Sequence, residues 1–245
     1  ECCRLLEESD EIPSTAMATP AVFLESYNRA FERGCTHLIG VLINGSGSGT
    51  YQAACLAKGM FEEEHGEGAM VIEVFDSRTY TYIYGHIVVK AAEMREQGES
   101  FDAIVSVVKS RLSRVEAYLG VYTLKYLKKS GRISGGAAFV GEALGLKPIS
   151  FVYDGAVKVC DKVRGEKALA AGICKKVVAR VQQPEKQTGI LLYGDVPEER
   201  LAEVEKRMRE EIGFKDVVRC AIGPSVLSNT GPLAIAVAYY GAPRE

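Results

Sequence analysis

The stretch His37-Leu38-Ile39-Gly40-Val41-Leu42-Ile43, followed at once by Asn44-Gly45-Ser46-Gly47-Ser48-Gly49-Thr50, decides how this chain is read. The first part is an apolar run of strand length, which predicts a strand buried on both faces. The second is a Gly/Ser loop that opens a helix expected over 50–64. Strand, glycine loop and helix N-terminus together make an anion site, because the loop N–H groups point at a ligand and the helix dipole favours negative charge there. Asn44, Ser46, Ser48 and Thr50 add side-chain donors. A tight strand-to-helix turn with serine caps would use the same residues, and the loop alone does not choose between the two.

Outward from this loop the pattern repeats. Val71 to Phe75 reads as another buried strand, ending in Asp76-Ser77, and helices are expected over 84–97 and 101–112. Upstream, Thr19 reads as an N-cap with Pro20 in the first turn of a helix that Gly34 closes. The stretch Asp10-Glu11-Ile12-Pro13-Ser14-Thr15 is turn chemistry. Alternating strand and helix predicts a parallel sheet with helices on its faces. After residue 115 the character changes. Short strands are expected over 117–122, 148–153 and 157–162, the last two joined at the hairpin signal Asp154-Gly155. Helices over 166–181 and 198–212 alternate with strands over 188–193, 217–222 and 234–239. The expected architecture is therefore α/β in two domains, residues 1–115 with a mainly parallel sheet and residues 116–245 with a mixed one.

Composition narrows the function classes. The formal net charge of −2, with both signs interspersed, argues against a nucleic-acid binder, which needs a net basic stripe. The densest basic run, Lys125, Lys128, Lys129 and Arg132, reads more simply as a solvated helix end. Cysteines number seven and form no C-x-x-C pair, so neither a disulfide framework nor a metal site is expected. Most of them fall in apolar segments and read as small buried thiols of a cytoplasmic protein, Cys160 and Cys220 as core. No apolar run is long enough to span a membrane. The histidines His37, His65 and His86 stand in no catalytic motif, so no catalytic residue is assigned and no enzyme is expected. The loop lacks the Gly-Lys-Ser/Thr of a P-loop and the spacing of G-x-G-x-x-G. Asp76 at the next strand end nevertheless keeps a dinucleotide-dependent enzyme as an alternative.

Several segments, in order, resemble the DegV family of bacterial lipid-binding proteins. Ser48-Gly49-Thr50-Tyr51-Gln52-Ala53-Ala54 is similar to its S-G-T-Y-Q-S-A signature, and Asp76-Ser77 to its strand-terminal Asp-Ser. The segment from Thr123 to Ser134 resembles its L-x-Y-L-x-x-G-G-R-I run. Leu146-Lys147-Pro148-Ile149 and Lys162-Val163-Arg164-Gly165 follow, then Ile222-Gly223-Pro224 and Thr230-Gly231-Pro232, which resemble its closing loop. By the same resemblance, an N-terminal strand and helix would precede Glu1. The resemblance implies a long-chain fatty acid held between two α/β domains, its carboxylate on loop hydroxyls with a histidine nearby. It also implies hand-off in some members to a separate fatty acid kinase, which does the phosphorylation, with no cofactor beyond the bound lipid.

The head-group segments depart from that pattern. The family's T-S-Q-P-S-P reads Thr15-Ala16-Met17-Ala18-Thr19-Pro20 here, its Ser-Ser pair reads Asn44-Gly45, and its closing-loop histidine is Asn229. The expected ligand-binding set is therefore Thr15, Asn44, Gly45, Ser46, Arg132 and Asn229. Each also has an ordinary reading: Thr15 as a turn residue, Asn44 and Asn229 as loop braces, Arg132 as a cap on helix carbonyls. Burying about fifteen methylenes at ~0.8 kcal/mol each is worth on the order of 12 kcal/mol before association costs, so the tail outweighs the head group. A ligand-free interaction protein is a third class of answer.

Overall fold

The computed structural model describes residues 2–9, 11, 13–133 and 145–244. Asp10 and Ile12 of the expected opening turn, and Ser134 of the Thr123–Ser134 segment, lie outside these. The chain divides into two compact units, one of Ala16–Tyr80 and Tyr84–Leu112, the other of Glu1–Thr15, Thr81–Ile83 and Ser113–Glu245. Residues from Ser113 onward thus group together, and the N-terminal segment groups with them.

The first unit contains α2 (Pro20–Glu32), β1 (His37–Leu42), α3 (Thr50–His65), β2 (Val71–Asp76), α4 (Tyr82–Glu96) from Tyr84 onward, and α5 (Phe101–Leu112), following α1 (Cys2–Glu8) in the chain. Strands β1 and β2 pair in parallel, from His37 opposite Val71 to Leu42 opposite Asp76. Tyr27 of α2, Ala57 and Phe61 of α3, and Met70 and Ile72 form its core. The Tyr27 hydroxyl donates to the Ala54 carbonyl at 3.2 Å, and Phe31 meets Phe61 edge-to-face at 5.6 Å. Burial and then the neighbouring Cys55 push the Tyr27 phenol up to about 12, so it stays a neutral donor. Two expectations need correction. Thr19 has the extended backbone of an N-cap, but its side chain makes no capping hydrogen bond; the fixed φ of Pro20 opens the helix instead. The strands are half-buried, with Ile72 alone among their residues fully buried. Among the described residues this sheet has two strands, so each is an edge.

The second unit is built on a six-stranded sheet. Its elements are β3 (Val115–Val121), α6 (Lys125–Ser130), β4 (Leu146–Tyr153), β5 (Ala156–Arg164), α7 (Lys167–Val178), β6 (Thr188–Tyr193), α8 (Glu198–Arg207), β7 (Asp216–Ala221), α9 (Pro224–Thr230) and β8 (Ala234–Tyr240). Helix α8 runs on through a π turn at Met208–Ile212. The strand order is β5-β4-β3-β8-β6-β7. Every pair is antiparallel except β6 with β7, which makes the sheet mixed as expected. Strand β8 alternates small and large: Ile235, Val237 and Tyr239 join Tyr118, Ile149 and Leu191 in a core closed by Leu169, Ile173 and Val177 of α7 and Leu201 and Val204 of α8. The alanines of β8 lie on the opposite face.

Glu116 carries a charge into that core. Glu116 is 1% exposed, and its carboxylate accepts two hydrogen bonds from Arg180, at 2.8 and 2.7 Å, and one from the Tyr239 hydroxyl at 2.7 Å. Burial, and next the carboxylate beside it, push the Tyr239 phenol far above its ordinary range. The cysteine expectation is corrected here. Cys174 is buried in the core, its thiol pushed up to about 12 by desolvation, whereas Cys160 is exposed and Cys220 half-buried. The last two sit on β5 and β7, the outer strands of the sheet, where one side faces water.

Candidate functional site

The loop after β1 is closed on itself and on the segment after β2. The Asn44 amide N–H donates to the Thr79 carbonyl at 3.0 Å, and the Asn44 carbonyl accepts from Gly47 N–H and Ser48 N–H, both at 3.1 Å. The Asn44 side chain is buried; its Nδ2 donates to the Tyr80 hydroxyl at 2.7 Å. Its Oδ1 accepts from Ser46 N–H at 3.3 Å and from Ser46 Oγ at 3.0 Å. Gly45 N–H donates to Asp76 Oδ1 at 2.9 Å, and the same oxygen accepts from Arg78 N–H at 2.8 Å. Gln52 of α3 reaches back to the Gly45 carbonyl at 3.2 Å.

This corrects the expectation of N–H groups aimed at a ligand. Those of Gly45, Ser46, Gly47 and Ser48 are engaged by Asp76 and Asn44 within the loop's own network. What the loop offers a guest is hydroxyl chemistry. Ser48 Oγ and Thr50 Oγ1 lie 2.9 Å apart and share one hydrogen bond, so one of their two protons is not used between them. Ser46 supplies a third hydroxyl. Tyr51 borders the loop, and its phenol is pushed above the ordinary range by a hydrogen bond with Cys55, by burial and by the Asp76 carboxylate, so it stays neutral.

Glycine is required where the loop meets its support. A Cβ on Gly45 would sit 2.7 Å from Asp76 Oδ2, and one on Gly47 would sit 2.7 Å from the Tyr80 hydroxyl and 3.1 Å from Asn44 Nδ2. The close approach that glycine permits is therefore toward the 76–80 segment. That segment is itself tightly turned: Arg78 has φ +52°, and the buried Ser77 hydroxyl donates to the Thr79 carbonyl at 3.2 Å. Asp76, the residue that kept a dinucleotide reading open, thus braces Gly45 and Arg78. Tyr80 carried no sequence signal beyond its place just after the Asp76-Ser77 strand end.

In the other unit the fold brings Arg132 and Asn229 together across 97 positions of sequence. Arg132 Nη1 donates to the Ser130 carbonyl at 2.9 Å and to Asn229 Oδ1 at 3.4 Å, and Asn229 Nδ2 donates to the Ser225 carbonyl at 2.7 Å. Gly131, at φ +70°, ends α6 with a left-handed residue and turns the chain toward Arg132. Below this pair the Tyr126 hydroxyl donates to the Leu6 carbonyl at 3.0 Å, tying α6 to α1. Thr15 is exposed and outside any helix or strand. The expected residues therefore fall into Asn44, Gly45 and Ser46 in one unit, and Arg132 with Asn229 in the other. Among the described residues no group of three or more His, Cys, Asp or Glu could hold a metal ion, and no helix is long and apolar enough to cross a membrane.

A parallel-sheet unit with a hydroxyl-bearing Gly/Ser loop and a mixed-sheet unit with an Arg–Asn pair make this an α/β protein of two units. The chain belongs to the DegV family, whose model, described as an uncharacterised protein family, matches residues 1–242. A DegV domain-containing protein of Caldanaerobacter subterraneus subsp. tengcongensis is 33% identical over 97% of this chain and 81% of its own length. Among solved structures, a fatty acid-binding DegV family protein from Thermus thermophilus has a TM-score of 0.86 at 27% identity, covering 98% of this chain and 82% of its own. A DegV family protein from Ruminococcus gnavus ATCC 29149, refined with vaccenic acid, has a TM-score of 0.86 at 25% identity, covering 97% and 82%.

Proposed function

We propose that this chain binds a long-chain fatty acid and does not itself transform it. The observation that carries the reading is its likeness to the Thermus thermophilus protein, a family member described by its fatty acid binding, across 98% of this chain. The loop chemistry agrees. Ser46, Ser48 and Thr50 give the hydroxyl donors a carboxylate accepts, each charge-assisted bond worth roughly 1.5–3 kcal/mol. Arg132 and Asn229 supply the second polar cluster, and Asn44 with Gly45 shapes the loop. Thr15 has the weakest support, being exposed and outside any regular element. On this reading the chain is a carrier of cytoplasmic fatty acid. Presentation of the carboxylate to a separate fatty acid kinase belongs to the same proposal and rests on the family resemblance. A dinucleotide enzyme has less support, because Asp76 Oδ1 accepts from Gly45 and Arg78 N–H and the carboxylate so braces its own loops.

The test is native and denaturing mass spectrometry of the protein as purified. The expected result is a co-purified mass matching a C14–C20 fatty acid, released on denaturation. No lipid, combined with no uptake of palmitate or oleate, would sink the reading.

A further inference from the structure

We infer that Tyr80 is a positioning residue for the head-group site, acting through the Asn44 amide on the Ser46 hydroxyl. The inference rests on the fatty-acid reading above. Its basis is a chain of contacts in one unit. Tyr80 presents its hydroxyl oxygen to Asn44 Nδ2 at 2.7 Å; the Ser46 N–H, which can only donate, sets Oδ1 toward the loop, and the Tyr80 contact holds the other end of the amide. Oδ1 thus faces Ser46, where it accepts the hydroxyl at 3.0 Å and the N–H at 3.3 Å. Were the amide reversed, Nδ2 would face the Ser46 N–H, donor against donor, and the hydrogen bond at 3.3 Å would be lost.

The consequence for binding is directional. Ser46 holds a single proton, and in this arrangement it points to Asn44. An arriving carboxylate accepts a hydrogen bond from the rotated hydroxyl, which keeps its proton, while Asn44 Oδ1 keeps the Ser46 N–H and so holds the backbone in register. The loop is thus preset as a switchable donor on a fixed backbone, the condition under which a short polar contact adds to affinity instead of to ordering cost. Gly47 is part of the device, because a Cβ there would collide with both members of the Tyr80–Asn44 contact.

Palmitate and hexadecanol separate head from tail, since they share a chain and differ at the carboxylate. In Tyr80→Phe, which keeps the ring and removes the acceptor, palmitate affinity is expected to fall roughly 3- to 10-fold with hexadecanol unchanged. Ser46→Ala should show the same pattern, and the double variant should bind palmitate no worse than Ser46→Ala alone, because both act on one hydroxyl. Gly47→Ala keeps every hydroxyl of the loop but displaces the pair, and should weaken palmitate selectively as well. The inference is overturned if Tyr80→Phe binds palmitate like wild type while Ser46→Ala does not, or if the two losses add. Equal losses for palmitate and hexadecanol would also overturn it, since a general loosening affects both ligands. Wild-type protein that takes up neither ligand would instead remove the fatty-acid reading on which the inference stands.

Discussion

Asn229 stands where the family resemblance places a histidine, and its partner is Arg132. Asparagine carries no titratable proton, and none of His37, His65 and His86 falls in a site segment; His37 packs on Phe101 and His65 on Phe31 and Phe61. We therefore expect palmitate affinity to vary by less than roughly twofold between pH 6 and 8; a clear step in that window would remove Asn229 and Arg132 from the head-group set. Glu116 is the other residue with large consequences. Arg180→Ala leaves a carboxylate buried with Tyr239 alone, a change that costs about 3–5 kcal/mol for fully buried pairs. Because the Arg180 side chain is 41% exposed, we expect about 2–3 kcal/mol, read as a lower urea midpoint. An unchanged midpoint would mean water reaches Glu116 in the variant. At this scale the sequence was half legible. A Gly/Ser loop between strand and helix is a local pattern, so Ser46 and Asn44 could be found from it. That Asp76 engages the Gly45 N–H and Tyr80 the Asn44 amide depends on residues more than thirty positions downstream, and no local period records such a contact.

Elements were legible where a period or a turn signal was long enough to count. The Asp154-Gly155 pair predicts a hairpin, and both residues have positive φ, +49° and +79°, as a two-residue turn matching strand twist requires. Gly155→Ala should cost about 1 kcal/mol through the strained left-handed residue, with a matching fall in Tm; no change in Tm would mean the turn relaxes to another type. Helices α1, α6 and α9, of 7, 6 and 7 residues, span too few turns for a 3.6-residue pattern to show, and only α6 had left a trace as a basic run. Ion pairs between elements were equally invisible. Lys176 of α7 reaches Asp161 of β5 at 2.7 Å and holds its carboxyl below the usual range, and Arg209 followed by Arg219 does the same for Glu205 of α8. A depressed folded pKa contributes stability above the unfolded value, lost as pH falls through the folded one. We therefore expect Tm to fall on acidification below about pH 4.5, and Lys176→Met to flatten the part of that fall due to Asp161. A wild-type slope retained in Lys176→Met would assign the acid sensitivity elsewhere.

The two units should differ in stability, because their sheets are buried to different depths. All seven residues of β3 are buried, and the strand pairs on both sides, with β4 and with β8. Strand β1 has no fully buried residue and, among the described residues, pairs with β2 alone. A two-stranded sheet is marginal by itself, so the parallel unit leans on the packing of α2 and α3 around Phe61 and Tyr27. Native-state hydrogen exchange reads this directly. Amides of β3 and β8 should exchange only through global opening, while those of β1 and β2 exchange at least roughly tenfold faster through opening of their own unit. Palmitate at about 100 times its Kd stabilises the state that binds it by about 2.7 kcal/mol. If the carboxylate is held at Ser46, the Gly45, Gly47 and Ser48 amides, which close the loop on Asp76 and Asn44, should gain protection along with β1. Protection of β1 equal to that of β3 in the ligand-free protein would mean the parallel unit opens only with the whole molecule. Ligand protection confined to the mixed sheet would place the head group away from the Gly/Ser loop, leaving the serines and threonine there as caps of a strand-to-helix turn.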